Sequence, residues 1–500
     1  MSATPGAKRM TVLQATYIGV GSMVGAGIFA LLGAAGAVAG AAVWLSFLIA
    51  GIIALLQGYS FAKLGSKFPS GGGILTFLSK GYGEGHVAGI GAWLFFTAGS
   101  IVVAMIATSF GGYASSVVTH SDPTWAKVFG VLLILVMSGL NTIGSAAVAH
   151  VQSVIVSVVL VILVLFAVVT IANWNPALLA PSGYPGWQQI ISSVALTFFA
   201  FLGFGVITFT AKDLPDPARQ LPKAIYIALL VATTVYVAVS LGVFGTLTAD
   251  QVVKYGSTAL AEAAKPVLGQ AGYVLMVVTA LFSTTGAVNA GLYPSIGMTQ
   301  HLARVGQFPP FFGRKWGPFP AGLVVMAVLA ILLVSFFDLN AIASIGSAVA
   351  LLVFSAVSIG HLRIRHETGG NLVVLLVGLI ATLGTFVIFS TTTLVDEPKT
   401  AFALLGILVL AVVIDFGWKG ASRRGRAEEG RLRGGPLHLG HRVAPAERPR
   451  GPLPRPRPRL ARQAHRPQPQ GPQRPAPARS PRLRRHHHPP GGRRLTIQPS

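Results

Sequence analysis

A bilayer's hydrocarbon core of about 30 Å takes about 20 residues of α-helix to cross. Twelve apolar stretches between Thr11 and Trp418 meet that length with few charges: 12–38, 41–62, 87–117, 125–143, 149–172, 189–211, 223–246, 269–293, 319–337, 340–361, 371–393 and 400–418. In hydrocarbon every backbone N–H and C=O must find a partner inside the protein, so such stretches are committed to helix. Composition agrees: 52% of residues are hydrophobic and 10% charged, against about 25% charged in soluble domains. The expected fold class is an all-α polytopic membrane protein with 12 transmembrane helices.

The formal charge of +24 has to be divided before it is interpreted. Residues 421–500 hold 20 Arg and 3 Glu, whereas residues 1–420 hold 18 Lys and Arg against 11 Asp and Glu. The Arg/Pro-rich segment 421–500 has almost no aliphatic side chains to bury, which predicts a disordered tail. It lacks interleaved aromatics, so no nucleic-acid partner is expected. Within the apolar part, Lys63, Lys67 and Lys80, then Lys212, Arg219 and Lys223, then Arg304, Arg314 and Lys315, then Arg363 and Arg365 fall in alternate loops. The excess of Lys and Arg on cytoplasmic loops places residues 1–11, the tail and these loops in the cytoplasm, with the protein in the cell membrane. Zero Cys excludes disulfides and thiolate metal sites.

Two stretches fit poorly inside uninterrupted helices. Gly19–Phe29, GVGSMVGAGIF, carries Gly19, Gly21, Gly25 and Gly27, although each Gly costs a helix roughly 0.5–1 kcal/mol relative to Ala. Phe198–Gly205, FFAFLGFG, follows about 180 residues later. The offset divides the chain into a first five-helix repeat at 12–172 and a second at 189–361, followed by helices 11 and 12 at 371–418. Because five is odd, the second half enters from the opposite face. Paired interrupted helices mark a solute site at a repeat interface. Amides near Gly25, Ala26 and Gly27 suit a carboxylate, and carbonyls of Phe199, Ala200 and Leu202 suit an ammonium. Candidate binding residues are therefore Ser22, Met23, Gly25, Ala26 and Gly27 with Phe199, Ala200, Leu202, Phe204 and Gly205. Close helix packing by small residues is the competing explanation.

Several motifs resemble one family. Gly21–Phe29 (GSMVGAGIF), Phe61–Gly73 (FAKLGSKFPSGGG), Phe110–Tyr113 (FGGY), Phe198–Pro222 and His301–Pro309 (HLARVGQFP) are similar to segments of the amino acid–polyamine–organocation (APC) permeases. The resemblance covers about residues 10–420. It implies a leucine-transporter-like fold, a 5+5 inverted repeat plus two C-terminal helices, and secondary transport by alternating access with substrate held at broken helices 1 and 6. Gly205 stands where many relatives have an acidic residue, which favours neutral amino acids. Polyamine or cationic amino acid transport is the alternative, and a non-transporting amino-acid-sensing receptor is the rival of another class.

For coupling, Ala280, Ser283 and Thr284 share one helix face and match the spacing of the family fold's second sodium site, which Gly21 and Val24 carbonyls would complete. Several relatives carry a proton on a helix-five Lys, but Val159 aligns there in this chain. Na⁺ or H⁺ is the candidate coupling ion, exchange or uniport without an ion is the alternative, and no cofactor is expected. Enzyme signatures fail: His366-Glu367 lacks the second His of a zinc helix, Ser70–Gly73 lacks the lysine of a phosphate loop, and no G-x-S-x-G occurs. The expected partners are an amino acid and the lipid bilayer, and the sequence is silent on oligomeric state.

Overall fold

The computed structural model describes the backbone over residues 10–143 and 146–433, and side chains within 10–25, 27–142 and 153–422. The described residues form α1 (Val12–Ala39), α2 (Val43–Lys67), α3 (Ile74–Tyr82), α4 (His86–Val118), α5 (Pro123–Ile143), α6 (Ala146–Ala172), α7 (Trp187–Phe199), α8 (Phe204–Ile207) and α9 (Pro217–Thr246). Then come α10 (Ala249–Tyr255), α11 (Ala259–Glu262), α12 (Lys265–Arg304), α13 (Ala321–Phe336), α14 (Leu339–Arg363), α15 (Arg365–Thr368), α16 (Leu372–Asp396) and α17 (Pro398–Arg433). The strands among the described residues are a two-residue ladder, Lys315–Trp316 with Phe319–Pro320, between α12 and α13.

Among the described residues ten stretches are long and apolar enough to cross a membrane, one of them, Val12–Lys67, containing both α1 and α2, and α13 is a shorter apolar helix of 16 residues. The chain is thus an all-α polytopic membrane protein. Polar side chains at the helix starts fix where the apolar runs begin. The Thr11 hydroxyl accepts from Gln14 N at 3.2 Å while Gln14 Oε1 accepts from Thr11 N at 2.9 Å, a reciprocal cap. Asp338 caps α14 through Ala341 N at 2.8 Å.

Two expectations change. The interruption expected at Ser22–Gly27 is absent, because α1 is helical throughout Val12–Ala39. Its amides, those of Gly25, Ala26 and Gly27 included, are therefore spent on the helix, the cheapest way to satisfy backbone away from water. The interruption after Phe199 is present. The last helix continues to Arg433 rather than ending near 418, while residues 1–9 and 434–500, with most of the Arg/Pro-rich tail, lie outside the described residues.

The α1 glycines serve packing. α1 runs through the middle of the bundle against α4, α7, α9 and α12, while α2 lies along α7 and α9, and α4 lies along α5, α12, α13 and α14. A Cβ on Gly25 would overlap Ala287 Cβ and come within 2.6 Å of Ser283 O, so the α1–α12 contact depends on its absence. Large apolar side chains such as Leu132, Val161, Ile380 and Phe402 face outward on α5, α6, α16 and α17, where acyl chains are the solvent. Gly25→Val is expected to force α1 from α12 and cost about 1–3 kcal/mol, the usual range for overpacking. A lowered melting midpoint of purified protein checks this, and an unchanged midpoint would contradict the packing role.

Candidate functional site

The two glycine-bearing stretches meet. Gly203, at the turn after α7, approaches α1 so closely that a Cβ on it would stand 2.6 Å from Met23 N and 2.7 Å from the Ser22 carbonyl carbon. No other residue type allows backbone to come this near. The chain reaches that position by leaving the α-helix between Phe199 and Phe204. The amides of Ala200, Phe201, Leu202, Phe204, Gly205 and Val206 bond carbonyls three residues back at 3.0–3.2 Å, the tighter 3₁₀ pattern. The carbonyls of Phe199 and Leu202 are consequently occupied by Leu202 N and Gly205 N. That of Ala200 accepts the Tyr236 hydroxyl at 3.3 Å. The break is real, but its carbonyls are already engaged.

A cavity of about 100 Å³ lies beside this crossing, room for several waters. Ser22 of α1, Phe95, Gly99 and Val102 of α4, Phe199, Leu202, Gly203, Val206 and Phe209 around the break, Ala287, Gly291 and Pro294 of α12, Met326 of α13 and Phe354 of α14 line it. No ionisable side chain is among its lining residues. Two hydroxyls are: Ser295 Oγ donates to Leu292 O at 2.6 Å, whereas Ser22 Oγ is buried with no hydrogen-bond partner. An unpaired buried hydroxyl is costly, so Ser22 is the polar point of an otherwise apolar wall.

The lining residues that retain some exposure are Phe95, Gly99, Val102, Leu202, Val206, Phe209, Ala290, Gly291 and Pro294. Most of them fall toward the end of the bundle where α4 begins, where the turn after α8 runs out to Asp213, and where α12 finishes. Ser22, Phe199, Ala287 and Ala350, farther in, are buried. The cavity opens at that end, where the rings of Phe95 and Phe209 stand 6.1 Å apart and 23° from parallel.

Of the residues singled out from sequence, Ser22, Phe199 and Leu202 line the cavity. Met23 is wholly buried. Gly25 faces α12, and Gly27 lies under Tyr236 and Ala200, whose Cβ would be 2.8 Å from its own. Phe204 packs between Phe61 and Phe354, with ring centroids at 5.1 and 5.5 Å. Gly205 has Ile74 and Phe61 as neighbours. The side chain of Ala26 lies outside the described residues. Sequence reasoning missed the α4 wall, although Phe95, Gly99, Val102 and Ile106 recur at helical spacing.

A second, smaller void of about 10 Å³ is lined by Gly21, Val24, Ile155, Val156, Val159, Ser283 and Gly286, about the space one water needs. It brings together three members of the expected ion set. Thr284, a fourth, turns its hydroxyl to the carbonyl of Ala280, the fifth, at 2.6 Å. Val159 contributes a purely aliphatic side chain to the same void.

Comparison with known proteins places this geometry. The amino acid permease family model matches residues 10–414. The chain is 30% identical over 412 residues to the inner membrane transport protein YbaT of Escherichia coli, covering 82% of this chain and 96% of that protein. An uncharacterized protein of Methanocaldococcus jannaschii is 33% identical over 387 residues, 76% of this chain and 88% of its own length. The vacuolar cationic amino acid transporter 4 of Arabidopsis thaliana is 30% identical over 393 residues, 72% and 64% of the two chains. With its apolar helices, its cavity between α1 and the interrupted α7–α8, and a family match over most of its length, the chain belongs to the amino acid permease family of the APC superfamily, a family of transporters rather than enzymes.

Proposed function

We propose that this permease moves amino acids of zero net charge across the cell membrane by alternating access, binding them in the cavity between α1 and residues 200–203. The observation that carries this is Ser22, an unpaired buried hydroxyl in a wall without ionisable side chains. A zwitterion brings two opposite charges that partly neutralise each other and can share the hydroxyl and nearby backbone. A substrate with a further charge would leave it uncompensated in apolar surroundings. Val102, Met326 and Phe354 then meet an apolar substrate side chain. The twelve expected crossings, in two inverted five-helix halves plus two helices, give the frame. The excess of Lys and Arg on the loops at that end supports cytoplasmic termini and a cytoplasmic opening of the cavity.

A second reading, transport of cationic amino acids, is favoured by the name of the Arabidopsis thaliana relative. It requires a counter-charge that the cavity wall does not contain. We further propose Na⁺ as the coupling ion, at the void shared by Gly21, Val24 and Ser283 and flanked by Ala280 and Thr284. The oxygen-only chemistry of that set suits a hard cation once the Thr284 hydroxyl leaves the Ala280 carbonyl, and Val159 offers no proton carrier.

Three measurements test these proposals. Ser22→Ala is expected to weaken binding of a neutral amino acid by the equivalent of about 1–3 kcal/mol without lowering the unliganded melting temperature. Unchanged affinity would remove Ser22 from the site. In counterflow with purified protein in vesicles, excess neutral amino acids should displace labelled substrate and arginine should not. Displacement by arginine alone would establish the cationic reading, and absence of counterflow would establish a receptor. Uptake should fall when Na⁺ is replaced by choline, and full uptake in choline would reject the ion.

A further inference from the structure

Asp415 lies far from the cavity wall in sequence and takes no part in it. Among the described residues it is the one Asp or Glu that is fully buried. Its Oδ2 stands 2.6 Å from His86 Nδ1 and its Oδ1 2.8 Å from Lys419 Nζ. Lys419 Nζ also donates to the Gly85 carbonyl at 2.8 Å. The His86 ring stacks on Phe416 at 4.0 Å and 7°.

Neighbouring bonds extend this contact. Trp418 Nε1 donates to Gly306 O at 3.0 Å and Gln307 Nε2 to Glu84 O at 3.2 Å. Three segments distant in sequence are joined by these bonds: the start of α4, the turn after α12, and α17. Gly89, about one turn into α4, makes the approach feasible, because a Cβ there would overlap Asp415 Oδ1 and Lys419 Nζ.

The joined ends belong to the two helices that wall the cavity where it opens. Phe95 lies nine residues beyond His86 on α4, and Met298 lies nine residues before Gln307 on α12. α17 supplies no lining residue. We propose that Asp415 is a positioning residue: by clasping the start of α4 through His86 and Lys419, it holds α4 and α12 at a fixed separation and so sets access to the cavity from α17, outside its wall. A carboxylate without exposed surface is tolerated only while its partners remain. The clasp is therefore closed with all its members or opened as a unit. Its consequence for uptake rests on the transport reading above, whereas access is a property of the cavity alone.

The chain has no cysteine, so Met298→Cys introduced at the cavity wall reports access through its rate of alkylation by a water-soluble maleimide in the purified full-length protein. Asp415→Asn and Lys419→Met are each expected to raise that rate roughly fivefold, by enlarging the open population. Gly89→Ala should give the same rise, and combining it with Asp415→Asn should add nothing, as for residues acting through one contact. A rate equal to that of the parent in folded, monodisperse Asp415→Asn protein overturns the proposal. If that variant does not fold, the rate in Lys419→Met decides in the same way. Uptake is measured on the same proteins: a parent that carries no amino acid refutes the transport reading, while the alkylation rates still decide the role of Asp415.

Discussion

Everything in this bundle follows from the need to pair each peptide group in the absence of water. The demand makes helices of the apolar stretches and penalises any departure from them. It is also why α1, despite four glycines in nine residues, stays helical throughout Val12–Ala39. The one departure at the centre, after Phe199, respects the same demand by trading α-type for 3₁₀ bonds and by borrowing the Tyr236 hydroxyl for the Ala200 carbonyl. Loosened backbone is thus present, but it is bonded backbone.

Much of the architecture was legible in the sequence because it depends on length and hydropathy alone. The apolar runs and the interruption near Phe199 have local causes. The α1 glycines misled because Gly is equally apt for breaking a helix and for letting two helices touch, and only the neighbours decide. Gly25 and Gly27 find Ser283, Ala287, Tyr236 and Ala200 at contact distance, which local sequence does not record. The α4 wall was hidden for a different reason. Helices buried on several sides are apolar all round, so Phe95, Gly99 and Val102 carry no contrast with the residues that merely pack.

The wall of the cavity was partly visible. Ser22, Phe199 and Leu202 emerged from the two glycine-bearing stretches, while the decisive property of Ser22, a hydroxyl with no partner, requires coordinates. Asp415 illustrates the opposite case. A lone acid near the end of the last apolar run, followed four residues later by Lys419, looks like an ordinary helical ion pair. His86 and Gly85, more than 300 residues earlier, change what that pair does.

The contact between Gly203 and the Ser22–Met23 backbone has a mechanical side. Interlocked side chains resist displacement as meshed teeth do, because one layer must climb over the other. At Gly203 one surface has no side chain and the other presents backbone with a single small one, so backbone meets backbone at that point. A contact of that kind fixes how near the two segments lie, and any residue larger than Gly at 203 would part them by the width of its Cβ.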